Sequence, residues 1–141
     1  MRFGRETWSV QLPTGWEGWH DAECASMEPP TQLGALQVSA AFKDTPVTDE
    51  DLKDFASSEV KASLEPASFG PFVGFHLAHE EDGASWHRWY LRHGSQALFV
   101  TYNCSSSDRG FEDASVLEVL RTLTTQGATP TNTSFERTRE R

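Results

Sequence analysis

The chain has 141 residues and a formal net charge of -9, from 12 lysines and arginines against 21 aspartates and glutamates. That length supports one domain with one sizeable core, and a composition 37% hydrophobic and 11% aromatic excludes a disordered chain. The acidity repels a phosphate backbone, which argues against nucleic acid as a partner.

No stretch approaches the roughly 20 apolar residues that span a bilayer, and the opening MRFGRETWSV has no apolar run of signal-peptide length. A cytoplasmic protein with no membrane partner is the expectation.

From the N-terminus, residues 8–12 (WSVQL) alternate apolar and polar side chains and stop at Pro13-Thr14-Gly15, a strand followed by a turn. Residues 16–21 are aromatic but interrupted by Gly18. A short second strand fits 24–28, ended by Pro29-Pro30, and a third fits 36–42, where Leu36, Val38 and Ala40 share one side. Thr48-Asp49-Glu50-Asp51 is a helix start, with a Thr N-cap, acidic residues in the first turn and Asp51 in the Glu/Gln place of a capping box. The helix should run to about Ser63 and bury Leu52, Phe55, Ala56, Val60 and Ser63. Pro66 and Phe69-Gly70-Pro71 then break the chain.

The stretch from Phe72 to Cys104 dominates the sequence. Asp82-Gly83 and Gly94-Ser95 mark two tight turns, so three antiparallel strands are expected. If each turn is two residues long, Glu81 faces Ala84, His79 pairs with Trp86, Leu77 with Arg88 and Phe75 with Tyr90. Across the second turn His93 faces Gln96, Leu91 faces Leu98 and Trp89 faces Val100. Alternation then sorts the side chains into two faces. The first holds His76, Ala78, His87, Trp89, Leu91, Leu98, Val100 and Tyr102, and should lie on a helix. The second holds Val73, Phe75, Leu77, His79, Trp86, Arg88, Tyr90, Arg92, Phe99, Thr101 and Asn103, mixing rings with arginines.

After the loop at 105–110, a second helix capped by Ser107 or Asp108 should reach about Thr124, with Val116, Leu117, Val119, Leu120 and Leu123 as its apolar face. Residues 125–141 are polar with Gly and Pro, and are expected to form a flexible tail to a domain spanning 1–124. The order is βββ-α-βββ-α. The expected fold is α+β, an α/β/α-type sandwich on one mainly antiparallel sheet of about six strands.

That order, with Trp8-x-x-x-Leu12-Pro13-x-Gly15-Trp16, Gly34-Ala35-Leu36-Gln37-Val38-Ser39, Thr48-x-x-Asp51-Leu52 and Phe99-Val100-Thr101-Tyr102-Asn103, resembles the Mog1/PsbP-like superfamily, particularly its small bacterial members. The likeness covers roughly residues 7–123. Members serve as a Ran-binding factor, as extrinsic photosystem subunits and as bacterial adaptors or chaperones of secreted toxins, so the resemblance implies a binding role. No functional residue carries over one by one.

Chemistry is sparse. Cys24 and Cys104 are the only cysteines and form no CxxC pair, so two reduced thiols are expected. His76 and His87 share a face, but zinc needs three or four convergent ligands and their neighbours are Trp89, Leu91 and Tyr102. Cys104 near His87 lacks an orienting Asn or Asp. Neither EF-hand spacing nor a GxxxxGK[ST] or GxGxxG string occurs. No cofactor and no metal are expected.

The second face remains as a candidate site, with Phe75, His79, Trp86, Arg88, Tyr90 and Arg92 as partner-binding residues, because Trp, Tyr and Arg dominate interface anchors. The competing reading is core: residues 16–21 or one of the helices cover these rings while the arginines stack over them. The expected function is non-enzymatic binding of another, basic protein, as an immunity or adaptor protein for a secreted toxin. A small-molecule or lipid pocket on the sheet face is the alternative, and a thiol- or metal-dependent enzyme the third.

Overall fold

A computed structural model describes residues 1–59 and 62–125. Nine strands and two α-helices follow the chain as β1 (Arg2–Arg5), β2 (Trp8–Gln11), β3 (Glu17–His20), β4 (Ala25–Glu28), β5 (Gly34–Phe42), α1 (Asp49–Glu59), β6 (Glu65–Phe69), β7 (Phe72–Glu81), β8 (Ala84–His93), β9 (Gln96–Ser105) and α2 (Asp113–Leu120). Strands β1 and β2 form a hairpin of their own, and the other seven form one antiparallel sheet in the order β3-β4-β5-β9-β8-β7-β6.

The three-stranded meander has the register expected from its turns. Glu81 faces Ala84, His79 faces Trp86, Phe75 faces Tyr90, His93 faces Gln96 and Trp89 faces Val100. Asp82 and Gly83 both have positive φ, at 54° and 79°, as a type I′ turn requires, and Gly94 has φ 59° at the first turn position, where type II′ takes glycine. Each bend is two residues long, so its twist matches the strands it joins.

The sheet is larger than the six strands expected, and its membership differs. Trp8–Gln11 pairs with β1 rather than entering the sheet. Two strands at the sheet edges were not foreseen. In β6, Pro66 sits on the outer strand, where a missing N–H breaks no ladder. In β3, Gly18 lies where an added Cβ would come 2.7 Å from the Phe3 ring, so glycine admits the hairpin against the sheet.

One face of the sheet carries the larger core. Trp89, Leu91, Leu98, Val100, Tyr102, Leu36, Val38 and Met27 pack under α2 and the β1-β2 hairpin, which contribute Val116, Val119, Leu120, Trp8 and Val10. Ser9 and Thr124 exchange backbone hydrogen bonds of 2.9 Å and so tie the segment after α2 to the hairpin.

Helix α2 starts later than expected. A 3-10 turn occupies Ser106–Asp108, and the N-cap is Glu112 rather than Ser107 or Asp108. The Glu112 carboxylate is 3% exposed and does not cap the helix. It accepts from Tyr102 Oη at 2.6 Å, from the Leu33 N–H at 3.0 Å and from Thr31 Oγ1. Burial alone would raise its pKa, but those bonds and one from the Gly34 N–H hold it below the usual carboxylate range.

The first helix is capped as read. Thr48 Oγ1 accepts from the Asp51 N–H at 3.1 Å, and Asp51 Oδ2 accepts from the Thr48 N–H at 2.9 Å. Leu52 and Ala56 are buried beneath it, but Phe55, expected to be buried with them, is 39% exposed, Ser63 is exposed beyond its last described turn, and Val60 lies outside the described residues, as does the tail from 126. Removing the hydroxyl that feeds the buried Glu112, in Tyr102→Phe, should lower unfolding free energy by about 1–3 kcal/mol in urea titrations at pH 7 without changing the fold.

Candidate functional site

Alternation and register arrange the second face in five rows across the strands, the first, at the Asp82 bend, being Glu81, Ala84 and Ser105. The other four are Ala35, Asn103, Trp86 and His79; then Trp19, Ser26, Gln37, Thr101, Arg88 and Leu77; then Ser39, Phe99, Tyr90 and Phe75; then Ala41, Ala97, Arg92 and Val73.

The chain leaves β5 at the Gly94 end, where Lys43 N–H donates to the Ser95 carbonyl at 3.0 Å and Val47 N–H to the Gly94 carbonyl at 2.8 Å. It then crosses this face to reach the far edge strand β6, which lays α1 on the last two rows. The Phe55 ring stacks on Phe99 at 4.3 Å and meets Tyr90 edge-on at 5.9 Å. Lys53 Nζ lies 5.2 Å from the Phe75 ring centroid, and Arg92 Nε donates to Asp49 Oδ1 at 2.7 Å.

The six candidate residues therefore divide. Tyr90 is 2% exposed and belongs to a second small core with Leu52, Ala56, Leu77 and Val47. Phe75 packs on that core, and Arg92 is engaged by the helix. The cover foreseen for this face comes from α1 and reaches only half of it, while residues 16–21 extend the sheet rather than cover it.

His79, Trp86 and Arg88 stand together on the rows of Asn103 and Thr101, the second of which also holds Leu77 of the small core under α1. The Arg88 guanidinium lies 4.5 Å from the Trp86 ring centroid, and its Nε donates to His79 Nε2 at 3.1 Å. The His79 and Trp86 rings are within 10° of parallel at 6.1 Å. All three are half-buried. Packed on one another, they form a plate that is partly exposed to solvent.

Beside this plate, Cys24, Gln37, Ser39, Phe55, Arg88, Phe99 and Thr101 line an open cavity of about 200 Å³. Gln37 Nε2, on its wall, donates to Ser26 Oγ at 3.1 Å. Trp19, 44% exposed, stands at the outer end of the same row. Sequence reasoning passed over it; only a strand assignment for 17–20 would have aligned it with Ser26.

The other face holds the histidine pair. His76 Nε2 and His87 Nδ1 are 2.9 Å apart, and His87 Nε2 is 3.3 Å from Asp113 Oδ1. Burial, and then the neighbouring His87, push the His76 pKa below the ordinary imidazole value. Among the described residues no three His, Cys, Asp or Glu side chains gather to hold a metal ion. Cys104 is buried, and burial pushes its thiol pKa up, the opposite of what an activated nucleophile needs.

No family model matches the chain, and no curated protein matches its sequence. Solved structures do. A Bacteroides thetaiotaomicron VPI-5482 protein aligns at TM-score 0.64 and 18% identity over 84% of this chain and 45% of its own. LpqN of Mycobacterium tuberculosis, involved in cell envelope biogenesis, aligns at TM-score 0.61 and 9% identity over 84% of this chain and 83% of its own. PsbP (CyanoP) of Synechocystis sp. PCC 6803 aligns at TM-score 0.43 and 10% identity over 89% and 91%. The first two share the fold of this chain, which spans less than half the length of the Bacteroides protein.

The depressed His76 pKa has a signed consequence. Between the ordinary value of about 6.5 and the lower folded value, the unfolded chain binds the proton more readily, so stability falls as pH drops through that window. Urea midpoints should decline between pH 6.5 and pH 5, above the range where carboxylates titrate, and His76→Leu should flatten that decline.

Proposed function

We propose that the chain is a non-enzymatic protein-binding domain that takes its partner on the half of the second sheet face, toward Asp82, that carries His79, Trp86 and Arg88. The observation that carries the reading is the His79, Trp86 and Arg88 plate on that half, with Trp19 exposed on the neighbouring row. Rings already fixed by stacking lose little conformational freedom on binding, and Trp and Arg supply large contact area.

Glu17 and Glu28, paired at the sheet edge, and Glu81 beside His79 add negative charge around the plate. With the net charge of -9 they favour a basic partner and speed its encounter by electrostatic steering. Cytoplasmic immunity or adaptor duty for a secreted toxin is the specific role that this combination of acidity and anchors fits.

The second reading, a small-molecule pocket, is favoured by the cavity between Gln37 and Phe55, where Ser39, Thr101 and Arg88 stand among aromatic rings. Its volume of about 200 Å³ falls below the roughly 300–1,000 Å³ of ordinary ligand pockets, so the surface reading is preferred.

The test is affinity capture of the partner, followed by surface plasmon resonance on the purified pair. Trp86→Ala and Trp19→Ala should each weaken the complex at least tenfold with the melting temperature held within a few degrees. Phe111→Ala, at an exposed site just before α2, should leave it unchanged, and added salt should slow association. A complex indifferent to Trp86→Ala and Arg88→Ala alike contradicts the proposal.

A further inference from the structure

Away from the open half-face, a second cavity of about 220 Å³ lies between α2 and the β6-β7-β8 end of the sheet. Its walls are Pro66, Ala67, Trp89, Val116 and Leu117, and its polar end is His76 and His87 with Asp113 beside them.

The two imidazoles meet edge to edge. Their ring centroids are 5.1 Å apart and their planes differ by 22°. That separation is close to the largest that two such rings allow with nitrogens 2.9 Å apart, so His76 Nε2 and His87 Nδ1 point at each other and share one proton. No cation fits between them.

The Asp113 carboxylate, 3.3 Å from His87 Nε2, favours a proton on that nitrogen. His87 Nδ1 then accepts, His76 Nε2 donates, and the lone pair of the chain emerges at His76 Nδ1. That nitrogen has no hydrogen-bond partner among the described residues.

The charges around the pair select among ligands. Glu65 on β6, cross-strand from His76, and Asp113 on α2 are both acidic, so an anion is repelled. The remaining walls are apolar, so a cation would lose hydration with little return. A neutral planar molecule with one hydroxyl donor suits both the walls and the single acceptor.

We propose that this cavity is a binding site for a small aromatic alcohol of the phenol type, whose hydroxyl donates to His76 Nδ1 while its ring lies against Pro66, Trp89 and Leu117. The site is independent of the open half-face.

Protonation of His76 converts the acceptor into a donor. The groups facing it are His87 on β8, Glu65 on β6 and Asp113 on α2. Binding should therefore be strongest at neutral pH and weaken as the solution becomes acidic.

Phenol itself is the probe, titrated into the full chain at pH 7.5 while the His76, His87 and Trp89 side-chain resonances are followed by NMR. The expected result is saturable shifts of all three, at least tenfold weaker binding in both His76→Leu and the cavity-filling Ala67→Leu, and no comparable response to benzoate. Circular dichroism melting checks that each variant is folded, and the two variants alter separate walls, so one unfolded variant does not remove the test. Absence of saturable shifts, binding unaffected by the folded variants, or benzoate binding as well as phenol overturns the proposal.

Discussion

The structure depends on one constraint, the two-residue length of the bends at Asp82-Gly83 and Gly94-Ser95. Positive φ at Asp82, Gly83 and Gly94 gives each bend the hand that the strand twist demands, and a bend of fixed length fixes which residues face each other. A slip of one residue would exchange the two faces of β8. Trp89 and Leu91 would leave the core, and Arg88 with its partner rings would enter it. The large core beneath α2 and the open plate on the reverse side are consequences of the same register.

Path does the rest. The chain must travel from β5, in the middle of the sheet, to β6 at its far edge, and it begins that crossing pinned to the Gly94 bend. Helix α1 therefore lies over the rows nearest that bend and over Leu77 of the next. The sheet face therefore has two kinds of surface: rings locked into a small core under Phe55, and the partly exposed rings of His79 and Trp86 stacked beside Arg88. Which rings fall in which kind is set by topology as much as by residue type.

Much of this was legible in the sequence because it is local. Gly and Asp mark the bends, alternation assigns the faces, and Thr48 with Asp51 announces α1 through bonds that span three residues. What stayed hidden is set by distant neighbours. Strand β6 contains a proline, and β3 a glycine, both of which argue against strands unless the segment is known to lie at an edge. The start of α2 was displaced because Glu112 serves Tyr102, Thr31 and Leu33 instead of its own helix. The division of the six candidate residues between Tyr90, roofed by α1, and Trp86, left open, could not be read without the path of the crossover. The approach of Asp113 to His87 likewise joins a helix and a strand through packing alone.

Hydroxyl-radical footprinting, read tryptophan by tryptophan with and without the captured partner, tests the central claim most directly. The account predicts that Trp19 and Trp86 react in the free protein and become shielded in the complex, while Trp8 and Trp89 stay unreactive in both. Reactive Trp89, or Trp86 oxidised equally in the free and bound states, would contradict it.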